Sequence, residues 1–137
     1  MTDYEPGDVV LVPYPFGERA GGKQRPALVV SSDEHNRETG ELLIAQITSR
    51  VSAAPRIGDY LIQGWREANL PRPALVRARL ATIESRQVLR RLGRLPEPEL
   101  RLAQADLQSV FCRPDPGQPH LGPVIGLPSF GGDPAGP

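Results

Sequence analysis

The chain has 137 residues, 39% of them hydrophobic, enough for one domain with a single modest core. No apolar run approaches the roughly 18 residues of a membrane span, and a lone cysteine, Cys112, excludes an internal disulfide framework. Formal net charge is zero, with 16 basic and 16 acidic residues, so any binding surface for an anion has to come from clustering rather than from overall charge.

The N-terminus is acidic: residues 1–18 hold four acids and no base. It lacks the basic-then-apolar order of a signal peptide, so a soluble cytoplasmic protein is expected. A strand is predicted over 9–12, opened by Pro6-Gly7-Asp8 and closed by Pro13 and Pro15. A second, over 27–31, is entered from Pro26. A third, over 42–48, follows the turn Glu38-Thr39-Gly40, and His35-Asn36 falls in a surface turn just before it. A fourth, over 59–62, follows Ile57-Gly58, and a fifth, over 74–81, follows Pro71-Arg72-Pro73.

A short helical turn is expected over 65–68. Two helices are expected after the strands. The first, over 84–92, carries Val88, Leu89 and Leu92 on one face and stops at Gly93. The second, over 97–111, repeats apolar residues at Leu100, Ala103, Leu107, Val110 and Phe111, with Pro96 and Pro98 in its first turn. Residues 113–137 hold seven Pro and six Gly and read as a disordered tail, which sets the expected division into a folded domain, 1–112, and a tail, 113–137.

Five short strands with no long helix between them predict a mainly β (α+β) fold, a small bent antiparallel sheet or barrel with C-terminal helices. Most strands are nearly continuous in apolar residues. Both sheet faces should therefore be covered, by helices or by a second subunit.

The charge pattern then matters. Residues 50–94 hold ten arginines against three acids (Asp59, Glu67, Glu84), a local excess of seven. That segment can present phosphate-binding side chains, although 15 of the 16 basic residues are Arg, which base composition of the genome also explains. Two histidines, one of them His120 in the tail, leave no imidazole pair for acid–base ribonuclease chemistry. One Cys and one His in the folded part leave no zinc set. The acids are scattered, and Gly21-Gly22-Lys23-Gln24 lacks the spacing of a phosphate-cradling loop.

What remains is Arg, Lys and hydroxyls. Arg25 stands between Ala20-Gly21-Gly22 and the strand that starts at Pro26, where its guanidinium can hold a phosphate by two parallel bonds. Thr48 and Ser49 end another strand, where a hydroxyl can donate to a phosphoryl oxygen. RNA brings its own nucleophile, so positioning and charge stabilisation suffice to cleave it. On spacing alone Arg25 reads better as a solvated loop-end arginine, and Thr48 and Ser49 as an ordinary strand-end turn.

Four segments, in order, resemble the MazF/PemK toxin family. They are Gly7-Asp8-Val9-Val10; Lys23-Gln24-Arg25-Pro26-Ala27-Leu28-Val29-Val30-Ser31; Ala45-Gln46-Ile47-Thr48-Ser49; and the stretch from Gly58-Asp59-Tyr60 through Val76-Arg77 to Ala81-Thr82-Ile83. Pro13-Tyr14-Pro15-Phe16 resembles the PemK-like branch, and the likeness spans about residues 4–111. The resemblance implies an SH3-like barrel shared with CcdB-type gyrase poisons, a homodimer, and single-stranded RNA bound across the dimer interface. It also implies a cognate antitoxin, DNA contact only through the antitoxin complex, and cleavage without metal or other cofactor to a 2′,3′-cyclic phosphate and a 5′-OH. Arg25 matches the family's catalytic arginine and Thr48 its catalytic hydroxyl. Lys23, Ser49 and Arg50 flank them as candidates for contacts with the RNA backbone.

One departure stands out. Where family members carry an acid followed by Gln, this chain has Ala78-Arg79, which puts the recognised base sequence in question and makes Arg79 a candidate phosphate contact. Trp65 is readable as a stacking platform or, better, as a packing anchor. Two other functions stay open: a CcdB-like module that binds a topoisomerase or another protein target without cutting RNA, and a homologue that only binds antitoxin or nucleic acid.

Overall fold

The computed structural model describes residues 3–13, 23–51 and 55–112. The expectations for Tyr14, Pro15 and Phe16 and for the tail lie outside those residues. Six strands form one antiparallel sheet: β1 (Asp8–Pro13), β2 (Gln24–Val29), β3 (Glu41–Thr48), β4 (Tyr60–Leu61), β5 (Leu75–Glu84) and β6 (Arg90–Arg94). Their order across the sheet is β4-β5-β3-β2-β1-β6. Helix α1 (Asp33–Thr39) joins β2 to β3, a 3-10 turn (Ser85–Gln87) joins β5 to β6, and α2 (Glu97–Gln108) ends the described chain. No helix among the described residues is long and apolar enough to cross a membrane.

The nearly unbroken apolar strands bury side chains on both faces. On one face Val9, Leu28, Ala45, Ile47 and Val76 pack with Leu100, Ala103 and Leu107 of α2. Those three belong to the stripe its sequence periodicity predicts, whereas Val110 and Phe111, also expected on it, lie past the helix end at Gln108 and are exposed. On the other face Val10, Val12, Ala27, Val29, Leu42 and Ile44 form a second cluster, with Tyr4 and Val88 packed against it. Truncating a fully buried member such as Leu28 to Ala would cost about 2–5 kcal/mol, a large share of a small domain's stability.

Two elements differ from the sequence expectation. Residues 84–92 do not form a helix: β5 runs to Glu84, one 3-10 turn follows, and β6 then pairs with β1. The reason is the free edge of β1. Val9, Val10 and Val12 are fully buried, so backbone groups on that edge need partners, and β6 supplies them. Among the described residues one C-terminal helix, α2, therefore remains. The second difference is α1, which replaces the expected turn at His35-Asn36.

Helix α1 is held by its ends rather than by an apolar stripe. Ser32 Oγ accepts the His35 N–H at 3.1 Å, and Gly40, at φ 72°, closes the helix with its N–H on the Asn36 carbonyl. Asn36 is buried and donates to the carbonyls of Tyr4 and Ser31, while the Ser31 hydroxyl donates to its side-chain oxygen. The expected helical turn over 65–68 is present as an Ala68 N–H to Gly64 carbonyl bond of 3.0 Å.

The curled sheet closes through that turn. Gly93 of β6 lies so near the Ala68 backbone that a Cβ there would stand 2.4 Å from the Ala68 carbonyl oxygen. Asn69, at φ 64°, donates its side-chain N–H to the Leu92 carbonyl at 2.9 Å. The segment after β4 is thereby locked to the opposite edge of the sheet.

Candidate active site

Strands β2 and β3 pair with Ala27 opposite Gln46, Leu28 opposite Ala45 and Val29 opposite Ile44. Carried two residues further, that register sets Arg25 across from Thr48. Alternation then puts Arg25 and Ala27 on the same face as Gln46 and Thr48. Arg25 and Thr48 open onto a cleft of about 360 Å³, whose walls also carry Gln46, Ser49, Arg50 and Arg72. Among the described residues no carboxylate lines it. Three guanidiniums give the cleft a positively charged lining suited to an anion.

Each of these side chains has a local reason for its position. Arg25 is half-buried, and its Nη1 donates to the Gln24 carbonyl at 3.2 Å. Thr48 Oγ1 accepts the backbone N–H of Arg50 at 3.2 Å, so the hydroxyl keeps its own proton for an acceptor in the cleft. Arg72 projects from Pro71-Arg72-Pro73, and the prolines limit the backbone freedom around it. Buried Leu70 and Ala74 anchor the two ends of that segment.

A carboxylate on α2 holds the start of the same loop. Glu99 Oε1 accepts the Tyr60 hydroxyl at 2.7 Å and the Gln63 N–H at 2.8 Å, and Oε2 accepts the Gly64 N–H at 2.6 Å. Burial, then the Glu99 hydrogen bond and charge, push the Tyr60 phenol above its ordinary range. Tyr60 is thus a fixed hydrogen-bond donor and not a proton shuttle.

Of the residues marked in the sequence, Arg25, Thr48, Ser49 and Arg50 line the cleft together. Lys23 and Arg79 do not. Lys23 is exposed just before β2. Arg79 is exposed and, with Ala78, falls in the register shift where Ala45 pairs with Leu80 while its neighbour Gln46 pairs with Arg77. Trp65 packs against the first core cluster, with the Arg66 guanidinium 4.8 Å from its ring centre. That is the packing role. His35 lies on α1 and does not line the cleft.

Three polar cleft residues went unmarked in the sequence, Gln24, Gln46 and Arg72. Gln46 had a legible signal, since a residue two before Thr48 on a strand shares its face. Arg72 had none beyond the prolines on either side, because its place depends on the closure of the loop onto β6.

Other members of the basic segment serve the fold. Arg77 pairs with Asp59, and Arg91 and Arg94 pair with Asp8, which is fully buried on β1. Asp8 also accepts the Glu5 N–H at 2.9 Å. A buried carboxylate so supplied with donors ties β1 to β6.

A family model described as a PemK-like, MazF-like toxin of type II toxin–antitoxin systems matches residues 5–111. Curated protein sequences give no match. Among solved structures, MazF from Deinococcus radiodurans is similar at 24% identity and a TM-score of 0.62, covering 81% of this chain and 98% of that one. The MazE–MazF complex from Deinococcus radiodurans is similar at 22% identity and a TM-score of 0.62, covering 81% and 97%. An endoribonuclease bound to its cognate antitoxin from a mycobacterial species is similar at 18% identity and a TM-score of 0.64, covering 82% and 99%.

Proposed function

The chain belongs to the PemK-like, MazF-like toxins of type II toxin–antitoxin systems, and from that premise we propose that it is an endoribonuclease cutting single-stranded RNA at the Arg25–Thr48 cleft. One observation carries the reading: Arg25, Arg50 and Arg72 line a single groove that also holds the Thr48 hydroxyl and, among the described residues, no carboxylate. In a chain of zero formal charge, such a local surplus is a phosphate site.

The chemistry follows from those groups. The 2′-OH of the substrate attacks the adjacent phosphorus, and the bond to the 5′-oxygen breaks. The products are a 2′,3′-cyclic phosphate and a 5′-OH. Charge accumulates on the non-bridging oxygens in between. Arg25 neutralises it through two parallel N–H bonds, and Thr48 donates its hydroxyl proton to the same oxygens. A guanidinium with a pKa above about 12 is suited to holding that charge rather than to moving a proton. The 2′-OH proton leaves to solvent, and the 5′-oxygen takes one from solvent. In this reading the charge on the phosphoryl oxygens is met by Arg25 and Thr48, so the proposed cleavage calls on no metal ion.

The same reading carries a cognate antitoxin and a homodimer as partners. Its support is the family, together with the antitoxin complexes of the similar structures. Cleavage is selective for sequence, with the selecting residues in the groove.

The test is incubation of the purified protein with a long single-stranded RNA in EDTA. Cleavage is expected, with Arg25→Ala about a hundredfold or more slower and Thr48→Val slower than Thr48→Ser. Intact RNA at high protein concentration would refute the reading. A variant pair Arg25→Ala and Thr48→Val that cut as fast as the wild type would keep the activity and move the site elsewhere.

A further inference from the structure

The geometry points to Gln46 as the residue that reads a base of the substrate, an inference that rests on the RNA-cleaving reading of the cleft. Gln46 lies in the middle of a cross-strand row. Ala27 stands opposite it on β2 and Arg77 opposite it on β5. Neither neighbour engages its carboxamide. Ala27 ends at its methyl group, and the Arg77 guanidinium turns its Nε and Nη2 to Asp59. The Gln46 side chain is half-buried, and its carboxamide has no hydrogen-bond partner among the described residues.

A half-buried amide that opens on a cleft, with no partner among the described residues, is left for water or a bound ligand to satisfy. What would satisfy it is set by its chemistry. A phosphate offers only acceptors and would engage the N–H side alone. A nucleobase edge offers a donor beside an acceptor, the pattern a carboxamide matches on both of its atoms. Gln46 is also well placed for a base next to the reacting phosphate. It is two residues from Thr48 on the same strand face, roughly 7 Å along the strand. The arginines of the groove hold any sequence, whereas this amide distinguishes one base from another.

The experiment maps fragment ends by sequencing after limited digestion of a long RNA with wild type and with Gln46→Met. Methionine keeps the length of the side chain and removes both polar atoms. Equal melting temperatures of the two proteins establish that any change lies in the groove. The wild type is expected to show a base preference at the cut, and Gln46→Met to lose about tenfold or more of it at one position while other positions keep theirs. Unchanged base frequencies in Gln46→Met would overturn the inference and leave the nuclease reading standing. So would a uniform slowing at every site with the motif intact, which marks a positioning role. A wild type that leaves RNA whole takes down both.

Discussion

Arg77 and Asp59 face each other through two parallel hydrogen bonds, Nε to Oδ1 at 3.1 Å and Nη2 to Oδ2 at 2.9 Å. The pair ties β5 to the residue just before β4, with the Asp59 side chain 2% exposed. It also decides what Arg77 is for. By register Arg77 stands beside Gln46, a residue of the cleft, yet its fork is spent on the Asp59 carboxylate. Basic density in a sequence therefore overstates the number of phosphate ligands: Arg77, Arg91 and Arg94 are structural, while Arg25, Arg50 and Arg72 line the groove.

Removing one member of a buried ion pair strands the other. Arg77→Met is expected to lower the free energy of unfolding by about 3–5 kcal/mol. The double variant Arg77→Met with Asp59→Leu should cost clearly less than the sum of its two singles. Urea unfolding of the four proteins reads both quantities, and additive costs would mean that the pair is not coupled.

The pair also gives stability a pH dependence of known sign. The Arg77 hydrogen bond holds the Asp59 carboxyl below its ordinary value of 3.8, against burial and with help from the Arg56 N–H. Above that value the group is ionised both folded and unfolded, and its contribution is complete. As pH falls, the unfolded chain takes up the proton first, and the contribution is lost as pH drops through the depressed folded value. The stability gap between wild type and Asp59→Asn should be flat near neutrality and narrow below about pH 4. A gap that stays constant on acidification contradicts the depressed pKa.

How much of this was legible depended on range. Strands β1, β2, β3 and β5 announced themselves locally, through apolar runs bounded by Pro, Gly and Asp. Segment 84–92 did not. Val88, Leu89 and Leu92 fit a helical stripe, but in the fold Val88 packs on one core cluster and Leu92 on the other. What decided it was the unpaired edge of β1, some eighty residues away and invisible to a window. Helix α1 was missed for the opposite reason: Asp33 to Thr39 has no apolar stripe, and only Ser32, Gly40 and buried Asn36 hold it. For the cleft, the motif around Arg25 and Thr48 placed both residues, because each ends a strand whose register was implicit in its apolar pattern. Arg72 required the packing of the 64–70 segment against β6.

That packing has its own test at Gly93. Its nearest neighbours are backbone atoms of Ala68, the carbonyl oxygen at 2.4 Å and the carbon at 2.5 Å from an added Cβ. Backbone cannot turn aside as a side chain can. Gly93→Ala should therefore cost about 1–3 kcal/mol by overpacking and push the loop that carries Arg72 away from β6. Gly40→Ala is the control: nothing lies within 4 Å of its Cβ, and it pays only for φ 72°. A Gly93→Ala protein as stable as the wild type, with the RNA affinity of the wild type, would show that the loop is not braced there.

Arg72 distinguishes holding the chain from performing the reaction. It shares the groove with Arg25 but comes from another part of its wall, the Pro71-Arg72-Pro73 segment, while the β2–β3 register sets Thr48 across from Arg25. In the proposed site Arg72 would then grip a phosphate flanking the one that reacts. Each such contact releases counterions, so the logarithm of the affinity falls with the logarithm of salt by roughly 0.7 per phosphate on a single strand. Arg72→Ala should weaken binding of an uncleavable oligonucleotide, one with a 2′-deoxy sugar at the cut, and flatten its salt slope by about that amount. The cleavage rate at saturating RNA should change little, because the transition-state charge is met by Arg25 and Thr48. Filter binding over a range of salt and single-turnover kinetics at saturation separate the two effects. If Arg72→Ala lowered the saturated rate as much as Arg25→Ala does and left the salt slope unchanged, Arg72 would belong with the reacting phosphate, and its assignment to a flanking one would have to be given up.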